Sequence, residues 1–183
     1  MVTLDVVVRG TKPLLMHSPA ALLKPKNRKI KSTDHNPEEE AKESLYLNDE
    51  GKICVPSLAV LSCLRKAAVN LKKPGSGKKT LKDYVYSGLS IEPDMIPLDN
   101  QIYEIDIRPV TVQRVRIMRA RPIFKNWSLQ FKITIQDPST WDNGIVRSVL
   151  EDAGKYQGLL DFRPLFGTFK VERLTDENGK EIK

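Results

Sequence analysis

Half of the chain's 30 lysines and arginines fall in three short windows that contain no acid. Residues 108–121 carry Arg108, Arg114, Arg116, Arg119 and Arg121. Residues 22–32 carry Lys24, Lys26, Arg28, Lys29 and Lys31, and residues 72–82 carry Lys72, Lys73, Lys78, Lys79 and Lys82. A guanidinium grips phosphate at two points and stacks on flat rings, whereas an ammonium acts as a point charge. Outside the windows 15 basic residues face 23 acidic ones, so a net charge of +7 conceals a two-sided molecule. Such segregation is the footprint of a polyanion, either nucleic acid or an anionic membrane surface. Solvated lysine loops would account for either lysine window alone. For each arginine the plainer alternative is an ion pair with an acid.

A second group of residues is the glycine-punctuated stretch 154–167, GKYQGLLDFRPLFG. Gly154, Gly158 and Gly167 would let backbone amides approach phosphates, with Lys155 and Arg163 supplying charge. A helix C-cap followed by a tight connection is the alternative. No Gly-Lys-Ser/Thr follows the glycines, which argues against a nucleoside triphosphatase. Tyr156, Phe162 and Phe166 read as core residues, with one of them facing a base.

A general base would need a positioned partner and a tuned pKa, and the sequence by itself shows neither. No serine or cysteine has a triad context, and no acidic cluster has metal-ligand spacing, so neither a metal nor a cofactor is expected. Cys54 and Cys63 are too far apart in sequence for a zinc knuckle and too few for a disulfide framework. The N-terminal stretch MVTLDVVVRG reads as a strand, and no apolar run approaches the roughly 18 residues that span a bilayer. A cytoplasmic protein with no membrane partner is expected.

These groups must be held by a scaffold that the hydrophobic pattern outlines. Residues 2–9 alternate with Leu4, Val6 and Val8 on one face. The stretch 18–44 contains three prolines and leads to a short helix over 37–44 that Pro37 starts. A turn at 48–51 and a short strand ending at Pro56 come next. Ser57 is placed to cap a helix whose apolar face is Leu58, Leu61, Leu64, Ala68 and Leu71. Residues 72–80 read as a flexible lysine-laden loop, 81–88 as one or two helical turns, 89–106 as short interrupted strands and 110–119 as a longer strand. Because Arg114 and Arg116 are out of phase with Arg119 and Arg121, a bulge near Met118 is predicted. WSLQFKITI alternates strictly from Trp127 to Ile135. A helix over 143–153 ends at Gly154, and a last strand presents Phe169 and Val171 to one side.

The order of elements, strand, helix, strand, strand, helix, strand, predicts an α+β domain of the ferredoxin-like βαββαβ type: an antiparallel sheet with two helices on one face. One domain over 1–175 is expected, with insertions at about 18–50 and 72–106 and a polar, frayed tail at 176–183.

Three pieces of the sequence resemble the RAMP superfamily of CRISPR-associated proteins, most of all its Cas7-like backbone subunits. KICVPSLAVLSCLRKAA at 52–68 is similar to the family's strand–proline–serine–helix element, with Val55, Pro56, Ser57, Leu58, Leu64 and Arg65 matching and the family's glycine missing. Residues 154–171 resemble its glycine-rich loop before the last strand, and the long insertion after the first strand resembles its thumb. The likeness spans nearly the whole chain. It implies a protein that lies along single-stranded RNA or DNA in repeated copies, a homo-oligomer that also meets other CRISPR effector subunits. Arg65 joins the binding candidates on this ground, with Met118 and Phe124 as apolar surface for bases. Two alternatives remain: a RAMP-type endoribonuclease, Cas6-like or Csm3-like, using His17 or Asp34, and a decoy or structural module that docks on an effector complex.

Overall fold

The computed structural model describes residues 2–19, 36–112 and 114–182. The candidates Lys24, Lys26, Arg28, Lys29, Lys31 and Asp34 lie outside the described residues. The chain is a mixed α+β protein with antiparallel sheets. Its main sheet joins β1 (Val2–Gly10), β4 (Leu89–Glu92), β8 (Ser128–Ile135) and β9 (Phe169–Asp176) in the order β4-β8-β1-β9, with every neighbouring pair antiparallel. The alternation read from the sequence sets its two faces. Leu4, Val6 and Val8 of β1 and Leu129, Phe131, Ile133 and Ile135 of β8 are buried. Their neighbours Asp5, Val7, Gln130 and Lys132 face the other way.

Two helices cover the apolar face: α2 (Ser57–Ala67) and α4 (Asn143–Asp152). In α4 the Asp142 side chain accepts from the amide of Ile145 at 2.8 Å, an N-cap, and Val146, Val149 and Leu150 are buried. In α2 the apolar face differs from the one expected. Val60, Cys63, Leu64 and Ala67 are buried, while Leu58 is 62% exposed. The helix is apolar on two sides, and its packing against the end of α4 selects the side that carries Cys63. Ser57 does not cap it by its side chain; it is buried, and its amide donates to the Asp94 carbonyl.

Gly154 is not the C-cap of α4. The chain continues through one wide turn, Ala153–Gln157, and reverses at Gly158, whose φ is 71°. Gly154 is needed for a different reason, since a Cβ there would stand 2.3 Å from the Phe169 carbonyl oxygen. The last strand carries a bulge opposite Val7 and Val8, which returns Leu174 to the core after Phe169 and Val171. The tail is not frayed over most of its length. It turns back at Asp176–Lys180, so that the Ile182 amide donates to the Leu174 carbonyl and Arg147 donates to the Ile182 carbonyl.

Outside this sheet lie two smaller ones. β3 (Cys54–Pro56) pairs with β5 (Met95–Pro97). The other has the order β2-β7-β6, built on β2 (Leu14–Leu15), β6 (Glu104–Val112) and β7 (Val115–Phe124). The expected strand over 110–119 is therefore two strands that meet in a turn, and their register runs unbroken past Met118, so no bulge occurs there. The expected insertion over 72–106 likewise contains β4, an edge strand of the main sheet. The lysine loop within it is closed by hydrogen bonds, Lys73 to Lys79 and Ser76 to Lys73 among them. No helix among the described residues is long and apolar enough to cross a membrane.

Candidate functional site

The β6–β7 hairpin collects the arginine window and divides it into a paired base and an unpaired tip. Residues opposite each other in the register share a face, which aligns Arg108 with Arg119 and Asp106 with Arg121. At the base these cations are matched by acids. Arg108 chelates Asp106 through two nitrogens. Arg119 Nη1 donates to Glu40 Oε1 at 2.8 Å, and the other oxygen of Glu40 accepts from the Ala120 amide at 2.9 Å. Glu40 belongs to the short helix α1 (Pro37–Glu43), started by Asn36 as N-cap with Pro37 in its first turn, so this helix clamps the hairpin.

Arg121 is buried, with its Nε 2.8 Å from Asp161 Oδ2 and its guanidinium 5.2 Å from the centre of the Phe162 ring. The contact with Asp161 is close but poorly aligned, and neither Nε nor Nη1 of Arg121 has a hydrogen-bond partner among the described residues. Arg108 in turn lies 4.6 Å from the Phe166 ring centre and 5.3 Å from that of Phe162. Both rings are thus engaged by arginines from within the protein. Tyr156 is 55% exposed, with the Lys155 ammonium 4.9 Å from its ring centre.

The stretch 158–167 that supplies Asp161 and the two phenylalanines is held tightly. Leu160 and Phe162 adopt φ of 58° and 52°, conformations that cost side-chain-bearing residues roughly 1 kcal/mol each. The Asp161 amide donates to the Leu15 carbonyl, and the Gly167 amide to that of Pro13. Gly158 and Gly167 are buried and their amides are engaged with backbone carbonyls, so these glycines close the loop and do not present amides to phosphate. At Gly167, φ is 72° and a Cβ would collide with Leu159 oxygen at 2.1 Å. Arg163, by contrast, is exposed at the outer rim of the loop.

His17 reaches the same region. His17 is exposed, yet its imidazole is held below its ordinary pKa, first by desolvation and then by the Arg121 guanidinium. Among the described residues no group of three His, Cys, Asp or Glu side chains is placed to hold a metal ion.

At the hairpin tip the charges have no ion-pair partner among the described residues. Arg114 and Arg116 are exposed there, and Val115 and Met118 beside them are 61% and 51% exposed. Arg114 occupies the turn with φ 67°. Sequence reasoning found these residues but not the turn that separates them from Arg119 and Arg121. It missed the roles of Glu40 and Asp161 altogether, because their partners lie 79 and 40 residues away.

The remaining candidates lie on α2 and the lysine loop. Arg65 is 3.7 Å from Asp83 and 5.5 Å from the Tyr86 ring centre, and Lys78 and Lys79 are exposed. Both Lys66 and Arg163 act on the buried Cys63 thiol, which places α2 beside the rim of the 158–167 loop. The open sheet face has the opposite character. Asp5, Glu92, Asp94 and Asp99, against Lys132, line a shallow groove of about 990 Å³ there.

Cys63 gives a direct check on this packing. Burial pushes its thiol up to about 12, and its Sγ donates to the Gly158 carbonyl at 3.1 Å. Neither Cys63 nor the fully buried Cys54 should react with a disulfide reagent at pH 8 until denaturant is added. Because the folded state retains the Cys63 proton longer than the unfolded state, that thiol's contribution to stability should decline from about pH 9 to pH 12. Rapid native-state labelling of Cys63 would contradict the geometry.

No protein-family model matches the chain, and no curated protein matches it.

Proposed function

We propose that the chain binds single-stranded nucleic acid through its phosphates, with little base preference, and that copies assemble side by side along the strand as the likeness to Cas7-like backbone subunits implies. Arg114 is the observation that carries the reading. At φ 67° a glycine or asparagine is unstrained, yet an exposed arginine stands there at the tip of a projecting hairpin. A charge kept in a costly conformation, with no ion-pair partner among the described residues, is accounted for by a partner outside the chain. Arg116 and Met118 share one hairpin face near it, joining a phosphate ligand to apolar surface for a base.

The core is read as ferredoxin-like. This is supported by the sheet order β4-β8-β1-β9, the antiparallel pairing throughout, and the placement of α2 and α4 each between two of its strands in sequence. In many sheets of this type the open face takes the ligand. Here that face is acidic, so the strand runs on the hairpin and helix side instead.

Fluorescence anisotropy with labelled oligouridine and oligothymidine tests the reading. The affinity should fall with salt by about 0.7 logarithmic units per unit of log salt for each phosphate contacted. Arg114→Gly should weaken it while raising stability by about 1 kcal/mol, because it removes the charge and the backbone strain together. Affinity indifferent to both salt and this substitution would end the proposal.

A second reading, a RAMP-type ribonuclease with His17 as general base, is supported by the lowering of the imidazole's pKa by desolvation and the nearby Arg121 and Arg119 guanidinium groups, which favours its free-base form. Loss of oligouridine cleavage in His17→Ala, with binding retained, is the outcome that would establish it.

A further inference from the structure

We propose that Tyr86 is a stacking platform for one unpaired nucleobase, forming with Arg65 a second subsite on the outer face of α2. The proposal rests on the nucleic-acid reading above but on different residues. Tyr86 stands on the helical turn α3 (Val85–Gly88) and is 52% exposed. Its hydroxyl lies 3.2 Å from Ser62 Oγ, and the Arg65 guanidinium sits 5.5 Å from its ring centre. The ring is therefore fixed at its edge and backed by a cation, while half of its surface faces solvent. A ring held in this way loses little freedom when a base stacks on it.

The helix side of the subsite explains the unexpected exposure of Leu58. Leu58, Ser62, Arg65 and Val69 follow at intervals of four, three and four residues, which puts them on one stripe of the helix and its last turn. Leu58 and Val69, 62% and 44% exposed, flank the Ser62–Arg65 pair that holds Tyr86. An apolar stripe alone would fit several partners. The charge around it selects one: residues 57–88 contain seven lysines and arginines and a single acid, Asp83. Asp83 is 78% exposed at its side chain and 3.7 Å from Arg65, too weak a contact to neutralise the patch. A second cation–ring pair, Lys73 over Tyr84 at 3.9 Å, lies on the adjoining turn. Cations interleaved with rigid aromatic surface suit a single strand, whose phosphates and bases alternate in the same way.

The test uses Tyr86→Trp. The two native tryptophans are only 2% and 1% exposed, so the new indole gives a separate, solvent-exposed emission. Oligothymidine should quench that emission, and an abasic strand of equal length and charge should not. In anisotropy, Tyr86→Ala should weaken oligothymidine binding about tenfold and leave abasic-strand binding unchanged, whereas Tyr86→Phe, which keeps the ring and loses only its bond to Ser62, should fall between the two. An unquenched indole, or equal affinity of Tyr86→Ala and wild type, overturns the stacking subsite even if Arg114 and Arg116 are still required. If wild type binds no strand at low salt, the nucleic-acid reading falls and this proposal with it. If Tyr86→Ala instead abolishes self-association without changing strand affinity, the stripe is a contact between copies and the stacking assignment is wrong.

Discussion

Replacing Asp161 by alanine should cost about 3 kcal/mol of stability, the low end of the penalty for removing one member of a buried ion pair. Arg121 has a side chain only 9% exposed, and Asp161 supplies its closest counter-charge at 2.8 Å. Without that carboxylate a buried guanidinium would lie beside Arg119 of its own strand and near Arg108 of the facing one, with the Phe162 ring and Asp106, which Arg108 already chelates, as its remaining compensation. For a chain of this size the melting temperature should drop by roughly 10 °C. The double variant Arg121→Met with Asp161→Leu should regain most of the loss, since it removes the charge together with its partner. Thermal unfolding of both proteins decides the matter. An Asp161→Ala protein within about 0.5 kcal/mol of wild type, the range of ordinary surface changes, would mean that water already solvates the pair.

The largest effect on binding should come from Arg114→Ala combined with Arg116→Ala. Two charge-assisted phosphate contacts, each worth about 1.5 kcal/mol, correspond to roughly a hundredfold loss in affinity for oligothymidine at moderate salt. Lys78→Ala with Lys79→Ala removes the same charge and should cost much less. Both backbones are held by hydrogen bonds and both side chains carry about 2 kcal/mol of rotamer entropy, but the planar guanidinium fork loses less of it per phosphate contact than an ammonium does. Neither pair should disturb folding, because all four residues are exposed and unpaired among the described residues. Anisotropy titrations alongside thermal melts test the ranking. A greater loss from the lysine pair would move the strand's path off the hairpin and onto the helix side.

The two experiments separate roles that the linear arginine window runs together. Arg119 and Arg121 are engaged with Glu40 and Asp161, so their removal should be read mainly in stability. Arg114 and Arg116, three to seven residues earlier, should be read mainly in affinity.

What the sequence determined by itself is whatever rests on short-range pattern. The strict alternation of residues 127–135 defines a strand with one buried face, because successive side chains point to opposite sides of any strand. Pro37 starts a helix where it stands, since its fixed φ suits a first turn whose amides lack intrahelical partners anyway, and the apolar spacing of residues 143–153 marks the second one. Segregated charge is equally local and was legible at once.

Only the tertiary structure decided the rest. Between the paired residues Val112 and Val115 the sequence carries none of the Asn-Gly or Asp-Gly signals that announce hairpins, so the two strands read as one. Helix α2 is apolar on two sides, and its neighbours, not its own pattern, chose to bury Cys63 and expose Leu58. The bulge in β9 changes the phase of the last strand through pairing with β1 alone. Which arginines are free is the plainest case. It depends on acids at positions 40 and 161, and an ion pair between residues far apart in sequence has no periodicity from which to read it.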